Sequence, residues 1–390
     1  MNKSNVIVAV CLIMKNESKT IERCIKQLVE VFPIICILDT GSTDDSIEIA
    51  RRVLTESGVR FAIGEDTWID DFSYSRNKAI NMGIVELHKH LGIYNEKMVL
   101  NEKELNIIRR NKLYLYVKDV DDILSNTKQL KKEIEKFTHN VYYMNYVQGS
   151  SHNKFLSFIK YIPTYNIVYK GAIHETLECY GNKSHDSTTI PADKCSMIVT
   201  YDGNRSSNKF KYFNDFILIY KRLLAENPYS SRHTYYAAQS LYGHGENELA
   251  SIYFEKRFEM KYGFSHEAYL SILYYYYING KDFIKQQNMY LMQKAIEISP
   301  ERFEAPTELM RIFNKNKQYH NSIAYGLAWR DKPAPSGFSI STIDRDFYLH
   351  YELAKAYRGI GNMKMAKEAF SRVNHNSIPE NEKNNIKEFL

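Results

Sequence analysis

Apolar and polar residues follow one another along the first third of the chain in a pattern typical of alternating strands and helices. Residues 6–14, 34–38 and 59–63 are short apolar runs, which predict buried strands. The two segments between these runs carry apolar residues at helical spacing. Ser18 is expected to cap the first of these helices, and Ser42 or Thr43 the second. Because the connections are short, the pattern predicts a parallel α/β sheet with right-handed crossovers.

The same kind of pattern continues to about residue 207. A third helix is expected to open within residues 68–77, and the polar residues 88–110 are interpreted as an insertion ahead of the next strand. The remaining elements expected in this domain are a strand at 113–117, a helix at 125–137, and strands at 141–147, 155–161, 167–177 and 195–201.

From residue 208 to residue 390 the strand signals end and helices of roughly a dozen residues follow one another. Two segments superpose with small residues and one aromatic residue at matching places, as a tightly packed helix pair requires. This spacing is typical of tetratricopeptide repeats, although a generic helical bundle remains the alternative. The matched positions are Ala238, Leu241, Gly245, Ala250 and Phe254 in the first segment, and Ala354, Tyr357, Gly361, Ala366 and Phe370 in the second.

Length and composition agree with two folded domains. The chain has 390 residues, of which 44% are hydrophobic and 25% charged. The net charge of +6 suits an anionic ligand but is too diffuse for a nucleic-acid-binding protein. The five cysteines show no C-x-x-C spacing, which indicates buried thiols in a reducing compartment. No apolar stretch approaches the roughly 20 residues of a membrane span, so we expect a cytoplasmic protein, in the host cytoplasm if it is viral.

The strand at 113–117 leads directly into the acidic segment 119–122 (DVDD). Side chains alternate along an extended chain, so Asp119 and Asp121 are expected on one side, where their charges repel. A hard divalent ion such as Mn²⁺ or Mg²⁺ between them would relieve that repulsion and complete its shell with phosphate oxygens. The alternative is a solvated turn whose acids cap the helix opening near Ser125.

Other candidate residues lie at the ends of the first two predicted strands and at the start of the third helix. Glu17 and Asp39 fall at the carboxyl edge of the sheet, where open α/β sheets bind ligands. Gly41 permits a tight turn there, and the helix that begins after Ser42 suits a phosphate. Arg76 can pair with a phosphate or with the acids themselves. Each of these residues also has an ordinary structural interpretation, as a helix cap, an exposed acid or an ion pair.

His174 and Glu175 form a third candidate pair. Adjacent residues in a strand point to opposite faces, so both reach one site only if the chain bends, and Gly171 permits such a bend. His174 is then a candidate ligand of the divalent ion and Glu175 a candidate general base. A purely structural His-Glu pair is the alternative. The chain lacks P-loop, Rossmann and H-E-x-x-H motifs, which argues against kinase-like, dinucleotide-binding and zinc-protease classes.

Taken in order, these segments resemble glycosyltransferase family 2, which has the GT-A fold. A subgroup that joins a GT-A domain to tetratricopeptide repeats, found in bacteria and large DNA viruses, is similar along nearly the whole chain, and bacteriocin peptide glycosyltransferases are similar in layout. The matching segments are 13–18 (IMKNES), 37–44 (ILDTGSTD), 68–77 (WIDDFSYSRN), 119–122 (DVDD), 169–175 (YKGAIHE), 202–206 (DGNRS) and 236–242 (YAAQSLY).

The resemblance implies a Rossmann-like nucleotide-sugar domain at 1–207 followed by an all-α repeat domain at 208–390. It places Glu17 and Asp39, with the Gly41–Ser42 turn, near the nucleoside, and Arg76 near the diphosphate. Asp121 would bind the metal, Asp119 the ribose or the metal, and His174 would lie near the metal. Two departures are the insertion at 88–110 and Tyr201-Asp-Gly203 where related sequences have His-x-Gly, which removes an expected metal ligand.

The sequence therefore predicts an inverting, metal-dependent glycosyltransferase that uses a nucleoside-diphosphate sugar, with a UDP-sugar favoured. The predicted acceptor is a protein, peptide or glycan. A protein is favoured over a glycan, because repeat arrays commonly bind peptides or partner proteins, and the repeats also permit a homo-oligomer. The competing hypothesis is a repeat-based scaffold with a catalytically inactive GT-A domain. The intact Asp119/Asp121 pair argues against it.

Overall fold

The computed structural model describes residues 6–148, 151–179, 186–205, 208–225, 227–280, 285–335 and 340–388. These residues divide into two compact units, with the division between Lys211 and Tyr212 and with residues 151–153 grouped with the second unit. The boundary predicted between residues 207 and 208 lies four residues earlier in the chain.

The first unit consists of a central sheet and the helices that cover it. Its strands are β1 (Val6–Met14), β2 (Ile34–Asp39), β3 (Arg60–Glu65), β4 (Lys112–Val117), β5 (Ile123–Leu124), β6 (Val141–Gln148), β7 (Ser151–Lys160), β8 (Ile167–Lys170), β9 (Thr176–Cys179), β10 (Ser187–Thr189) and β11 (Ser196–Ile198), and its helices are α1 (Ile21–Val29), α2 (Ser46–Ser57), α3 (Phe72–His90), α4 (Glu102–Arg110) and α5 (Thr127–Ile134).

The sheet is parallel at one side and mixed at the other. Its strand order is β3-β2-β1-β4-β7-β6-β11-β5, and β3, β2, β1 and β4 all run parallel. β7 joins β4 antiparallel, β10 and β11 both pair with β6 in parallel, and β8 and β9 form a separate antiparallel ribbon. The expected parallel α/β sheet is thus confirmed, and its carboxyl edge carries the ends of β1, β2 and β4.

Strand β1 shows why both faces of the sheet are covered. Val8, Val10, Leu12 and Met14 pack in one core with α1, α2 and α5, whereas the alternate residues from Ile7 to Cys11 pack in a second core with α3 and α4. A strand buried on both faces needs a continuous apolar run rather than alternation. This is the pattern that the sequence shows.

Two details of the first unit differ from the sequence-based expectations. Helix α3 continues to His90, and residues 102–110 form helix α4, which begins with a capping box between Asn101 and Glu104. About half of the segment interpreted as a polar insertion is therefore helical. The predicted caps Ser18 for α1 and Ser42 or Thr43 for α2 are wrong, because Thr20 and Asp45 are the N-cap residues there.

The second unit is helical. Its helices are α6 (Lys211–Ala225, whose first residue belongs to the first unit), α7 (Ser231–His244), α8 (Asn247–Glu259), α9 (Ser265–Asn279), α10 (Lys285–Ile298), α11 (Glu304–Lys315), α12 (Tyr319–Arg330), α13 (Leu349–Gly359) and α14 (Met363–Phe370), with a short strand β12 (Ile340–Ser341), a π-helical turn (Asp344–Tyr348) before α13, and 3₁₀ turns at His375–Ser377, Glu380–Glu382 and Asn385–Glu388. None of the helices that the structure describes is both long and apolar enough to cross a bilayer.

The predicted tetratricopeptide-like repeats are confirmed by the helix pairs α7–α8 and α13–α14. The small and aromatic residues matched in the sequence are buried in both pairs, and Gly245 and Gly361 have left-handed φ values of 96° and 80° between the paired helices. That conformation ends a helix at low cost only for glycine. The helices between these two pairs also pack as pairs. From α9 onwards, however, the first helices of successive pairs begin more than the usual period of about 34 residues apart.

Helix α3 approaches the sheet so closely that residue 83 has no room for a side chain. A Cβ added to Gly83 would lie 2.6 Å from Cys11 Sγ and 3.1 Å from Leu115 Cδ2. An alanine in a helix normally stabilises relative to glycine by about 1 kcal/mol, but overpacking a core costs about 1–3 kcal/mol. We therefore expect Gly83→Ala to lower the melting temperature of the first unit by a few degrees in calorimetry.

The double variant Cys11→Ala/Gly83→Ala separates a steric cause from any other. Removing the sulfur opens the space that the new methyl group needs, so the double variant should be more stable than the sum of the two single changes predicts. Simple additivity of the single changes would contradict the close approach of α3 to β1.

Candidate functional site

The acidic segment after β4 lies at the carboxyl edge of the sheet and does not cap helix α5. The N-cap of α5 is Asn126, whose side chain accepts a hydrogen bond from the backbone N–H of Gln129. The interpretation of Asp119, Asp121 and Asp122 as helix-capping acids is therefore wrong. Their carboxylates must be stabilised in some other way.

The guanidinium of Arg76 joins two distant parts of the chain. Arg76 lies in the first turns of α3, its Nη2 donates to Asp119 Oδ1 at 2.8 Å, and its Nε donates to Glu175 Oε1. Its side chain is only 13% exposed. Burial lowers the pKa of Arg76, but the two carboxylates outweigh it and raise the pKa well above its usual value. The predicted residues Arg76, Asp119 and Glu175 thus meet at one point.

Glu175 reaches this point because the chain turns sharply before it. Gly171 and His174 have positive φ values of 101° and 50°, so the bend expected at Gly171 is present. Asn77 holds the preceding strand, since its side chain both donates to Tyr169 O and accepts from Tyr169 N. The first turns of α3 therefore fix the position of Glu175 as well as that of Arg76.

Asp121 lies against the segment that follows β11. A Cβ at Gly203 would lie 2.6 Å from Asp121 Oδ2, so only glycine fits there. The backbone carbonyl of Asp121 accepts hydrogen bonds from Thr200 Oγ1 at 2.7 Å and Arg23 Nη2 at 3.0 Å. Arg23 in turn pairs with Asp202 at 2.6 Å. The departure Tyr201-Asp-Gly203 thus forms one wall of the site, with its glycine in contact with Asp121.

The three aspartates differ in their affinity for a proton. Burial, and then the charge of Asp119, raise the pKa of Asp121, and the same causes raise the pKa of Asp122 to about 8. Burial acts in the same direction on Asp119, but the charge of Arg76 overcomes it and lowers the pKa of Asp119. Asp119 is therefore the most readily ionised of the three aspartates, whereas the surroundings of Asp121 disfavour its charged form.

Lys118 stabilises the backbone of the acidic segment from the protein interior. Its side chain is 3% exposed, and its Nζ donates to the backbone carbonyl of Asp119 at 2.6 Å and to that of Asp122. Because alternation along the chain separates Lys118 from Asp119, the ammonium group lies in the interior while the carboxylate faces the site. This buried ammonium fixes the backbone of the acidic turn.

Asp39, Gly41 and Ser42 form a closed turn at the end of β2. Asp39 is 2% exposed, its Oδ2 accepts from the backbone N–H groups of Gly41 and Ser42 at 2.9 Å, and its Oδ1 accepts from the Ser42 hydroxyl. Gly41 has a φ of 95°. The carboxylate of Asp39 is thus occupied within its own loop, which it shapes.

Glu17 lies between the end of β1 and residues 202–205, which follow β11. Its carboxylate accepts from Thr20 Oγ1 at 2.5 Å and from the backbone N–H of Asn204 at 3.2 Å. Burial raises the pKa of Glu17, and the charges of Asp121 and Asp44 act in the same direction. That electrostatic influence places Glu17 and Asp121 in the same acidic environment.

The predicted metal ligands do not form a complete protein site by themselves. Among the residues that the structure describes, no three His, Cys, Asp or Glu side chains are arranged to hold a metal ion, so His174 does not complete a set with Asp119 and Asp121. Two neighbouring carboxylates, of which Asp121 has a raised pKa partly because of the charge of Asp119, nevertheless fit a hard divalent ion that takes its other ligands from phosphate.

Sequence reasoning missed three basic residues of this region. Lys118 and Arg23 hold the backbone of the acidic turn, and the guanidinium carbon of Arg205 lies 4.4 Å from the centroid of the Phe72 ring, where its charge contributes to the lowered pKa of Asp119. Arg205 belongs to the segment DGNRS, which was noted only as a matching stretch. A lysine directly before the acids was visible, but nothing in the sequence showed that it turns inward.

Comparisons with known proteins give a family match in the N-terminal unit. Residues 9–83 match the family Glycosyl transferase family 2. The SPbeta prophage-derived glycosyltransferase SunS of Bacillus subtilis is 34% identical over 85 residues, which is 22% of this chain and 19% of SunS. The match therefore spans about a fifth of the length of that relative.

Two further similarities concern repeat proteins. A TPR repeat-containing protein of Synechococcus elongatus is 36% identical over 73 residues, which is 19% of this chain and 17% of that protein. The solved structure of MamA from Desulfovibrio magneticus is 13% identical, covers 42% of this chain and 83% of its own, and has a TM-score of 0.32.

The matched residues include β1, β2, β3 and the part of α3 that carries Arg76, and the helix pairs of the second unit keep the tetratricopeptide-like packing. The chain therefore carries a glycosyltransferase family 2 domain in its N-terminal unit, followed by tetratricopeptide-like helical repeats.

Proposed function

We propose that this protein is an inverting, divalent-metal-dependent glycosyltransferase. It transfers a sugar from a nucleoside-diphosphate donor, with UDP favoured as the nucleotide, to a protein, peptide or glycan acceptor. The observation that carries the proposal is the bridge from Arg76 to both Asp119 and Glu175, which joins the family-matched helix α3 to an acidic pair and to a candidate base. A cytoplasmic location and a homo-oligomer formed through the repeats remain predictions.

Asp121 and Asp119 are the residues that would hold Mn²⁺ or Mg²⁺. When bound, the ion neutralises charge that develops on the diphosphate as the glycosidic bond breaks. Burial and then the charge of Asp119 raise the pKa of Asp121, and a cation beside both carboxylates would oppose both causes. Lys118 keeps the backbone of the turn in place, so that the carboxylates need little rearrangement to receive the donor.

Glu175 is the proposed general base. The acceptor hydroxyl or thiol attacks the anomeric carbon from the side opposite the diphosphate, the bond from that carbon to the phosphate oxygen breaks, and the acceptor proton passes to Glu175. The ion pair with Arg76 orients the Glu175 carboxylate, and binding of both substrates supplies proximity. The products are an inverted glycoside, the nucleoside diphosphate and a proton.

Arg205 is the better placed cation for the diphosphate, although Arg76 is the one that the family resemblance implies. Arg76 already donates to two carboxylates, so a phosphate contact would compete with both of them. Arg205 stacks on Phe72 beside Asp119 and lies in the wall segment that contacts Asp121 through Gly203. We therefore assign the direct phosphate contact to Arg205 and an orienting role to Arg76.

The alternative is a repeat-based scaffold whose GT-A domain is inactive. The observation that favours it is the ion pair of Asp119 with Arg76, which occupies one of the two predicted metal ligands. A domain that had lost its chemistry would, however, have no need for the two mutually repelling carboxylates of Asp119 and Asp121.

The decisive experiment is a titration with a panel of nucleotide sugars, with and without Mn²⁺, on the wild type and on Asp121→Asn. We expect one donor to bind and turn over with the metal, and the variant to lose at least about 100-fold in transfer rate. Because a carboxyl whose folded-state pKa is raised destabilises the fold when ionised, the variant should melt at an equal or slightly higher temperature.

Asp193→Asn is the matched control, since Asp193 is exposed and pairs only with its neighbour Lys194 among the interactions described. It should keep full activity. If Asp121→Asn turns over at the wild-type rate with saturating Mn²⁺, the metal site is wrong. If no donor binds to the wild type, the scaffold hypothesis is correct.

Glu175→Gln tests the base. The amide has the same shape, so donor and Mn²⁺ dissociation constants should stay within about twofold, while transfer to a hydroxyl falls roughly 100- to 10,000-fold. Transfer to a thiol should suffer less, because an ordinary thiol pKa of about 8.5 leaves part of it ionised near neutral pH. Single-turnover rates measured beside the Mn²⁺ affinity give both quantities.

Glu178→Gln is the control for that variant, since Glu178 lies on the same ribbon and pairs with Lys170. Weaker Mn²⁺ binding in Glu175→Gln, together with a rate restored at high Mn²⁺, would show that Glu175 only orients Arg76 and Asp119.

Arg205→Met tests the phosphate contact. The change removes a charge-assisted contact, so the dissociation constant of the nucleoside diphosphate should rise about tenfold, whereas that of the nucleoside monophosphate should change little. Calorimetric titration of both nucleotides measures this selectivity, with the exposed Arg51→Met as control. An equal rise in the dissociation constants of both nucleotides would mean that Arg205 maintains the structure of the segment after β11 and does not contact the phosphate.

A further inference from the structure

The loop that follows β1 is hydrogen-bonded to two segments that follow other strands. This β1 loop consists of residues 15–18, between the end of β1 and the start of α1. The first of the two segments is the β2 loop, residues 40–46, which donates backbone N–H groups to Asp39. The second is the β11 segment, residues 200–205, which packs against Asp121. The β1 loop therefore connects two parts of the candidate site.

Asn16 bonds the β1 loop to the β2 loop through both its side chain and its backbone. Its Oδ1 accepts from the backbone N–H of Thr43 at 2.7 Å, and its backbone N–H donates to Ser42 Oγ at 2.8 Å. The Ser42 hydroxyl in turn donates to Asp39 Oδ1. Asn16 thus fixes the backbone of the β2 loop and orients a hydroxyl group that shapes its turn.

Two further hydrogen bonds extend the same contact. The backbone N–H of Glu17 donates to Ser46 Oγ at 2.7 Å, and that of Ser18 donates to Asp44 Oδ2 at 3.2 Å. Burial acts to raise the pKa of Asp44, but hydrogen bonds from Ser46 and Ser18 outweigh it and lower that pKa. Three successive N–H groups of the β1 loop are therefore bound by side chains of the β2 loop.

The β1 loop also holds the β11 segment. Glu17 Oε1 accepts from the backbone N–H of Asn204 at 3.2 Å, and the carbonyl of Lys15 accepts from Asn204 Nδ2 at 3.4 Å. Asn204 immediately precedes Arg205, to which the direct phosphate contact is assigned. The two residues that flank Asn16 in the chain therefore bind the segment beside the diphosphate, while Asn16 itself binds the turn beside the nucleoside.

A left-handed backbone at Asn16 accompanies this double contact. Its φ is 56°, a conformation that is uncommon outside glycine and is tolerated best by asparagine and aspartate. Successive N–H groups can converge on one acceptor region where the chain turns in this way. A glycine would keep the turn but would lose the Oδ1 acceptor.

We infer that Asn16 is a positioning residue that sets the distance between the nucleoside half and the diphosphate half of the donor site. The inference deepens the proposed function and rests on it, since that function assigns the two halves. A ligand that spans both halves binds tightly only when they are held at the spacing that it requires. Asn16 therefore contributes more to binding of the whole nucleotide than to binding of either part.

The test is Asn16→Gly in the full chain, which removes the Oδ1 acceptor and tolerates the left-handed φ. Competition titrations give dissociation constants for uridine, for pyrophosphate with Mn²⁺, and for UDP with Mn²⁺. The first two should stay within about twofold of the wild type, and the third should rise about fivefold or more. In steady-state transfer, the donor KM should rise by a similar factor, whereas kcat should stay within about twofold.

Asn95→Gly is the matched control. Asn95 also bonds a neighbouring backbone through its amide, since it accepts from Val99 N and donates to Val99 O in the connection between α3 and α4. This variant should leave all three dissociation constants unchanged. Ser46→Ala removes another hydrogen bond of the same loop contact, so it should reproduce the pattern of Asn16→Gly and serves in its place if that variant does not fold.

Unchanged UDP binding in Asn16→Gly and in Ser46→Ala overturns the inference. It is also overturned if uridine or pyrophosphate weakens as much as UDP, because the loop would then only support one half of the site. If the donor panel identifies another base, its nucleoside and diphosphate replace uridine and UDP. A wild type that binds no nucleoside diphosphate refutes the proposed function and this inference together, whereas the first two outcomes refute this inference alone.

Discussion

The candidate site depends on one buried cation between two carboxylates. Asp119 follows strand β4 and Glu175 follows a bend more than fifty residues later, and like charges brought together in a half-buried place repel strongly unless a counter-charge lies between them. Arg76 provides that charge with two separate N–H groups, so it sets both the distance between the acids and their orientation. A lysine has a single point of charge and could not fix both partners in this way.

The surrounding structure holds Arg76 in a fixed position. Helix α3 packs directly against the sheet at Gly83, where Cys11 leaves no room for a side chain. Asn77, in the second turn of α3, hydrogen-bonds to both the backbone N–H and the carbonyl of Tyr169. On the other flank, Gly203 lies against Asp121, and Lys118 ties the acidic turn to the interior. Rigid supports of this kind let a polar site remain organised before any ligand arrives.

The second unit is built by a more local rule. The pairs α7–α8 and α13–α14 are each closed by small residues, such as Ala238 and Ala250 in the first, and by a left-handed glycine between the helices, so this pairing is decided within some thirty residues. Such units bury their apolar faces on their neighbours, which leaves side chains on the remaining faces available for binding.

The sequence alone determined the features that rest on short-range periodicity. The continuous apolar runs of β1 and β2 imposed a two-sided sheet, and the spacing from Ala238 to Phe254 imposed a helix pair, because both follow from backbone geometry. The sequence also places acidic residues such as Asp39 and Asp119 at or directly after the ends of strands. Only the tertiary structure decided what each polar group contacts: Asp39 closes its own loop, Asn126 caps α5, and Arg76 holds acids rather than standing free. The partners of Arg76 lie 43 and 99 residues away in the chain, and even the local contacts of Asp39 and Asn126 depend on a backbone geometry that the order of residue types does not specify.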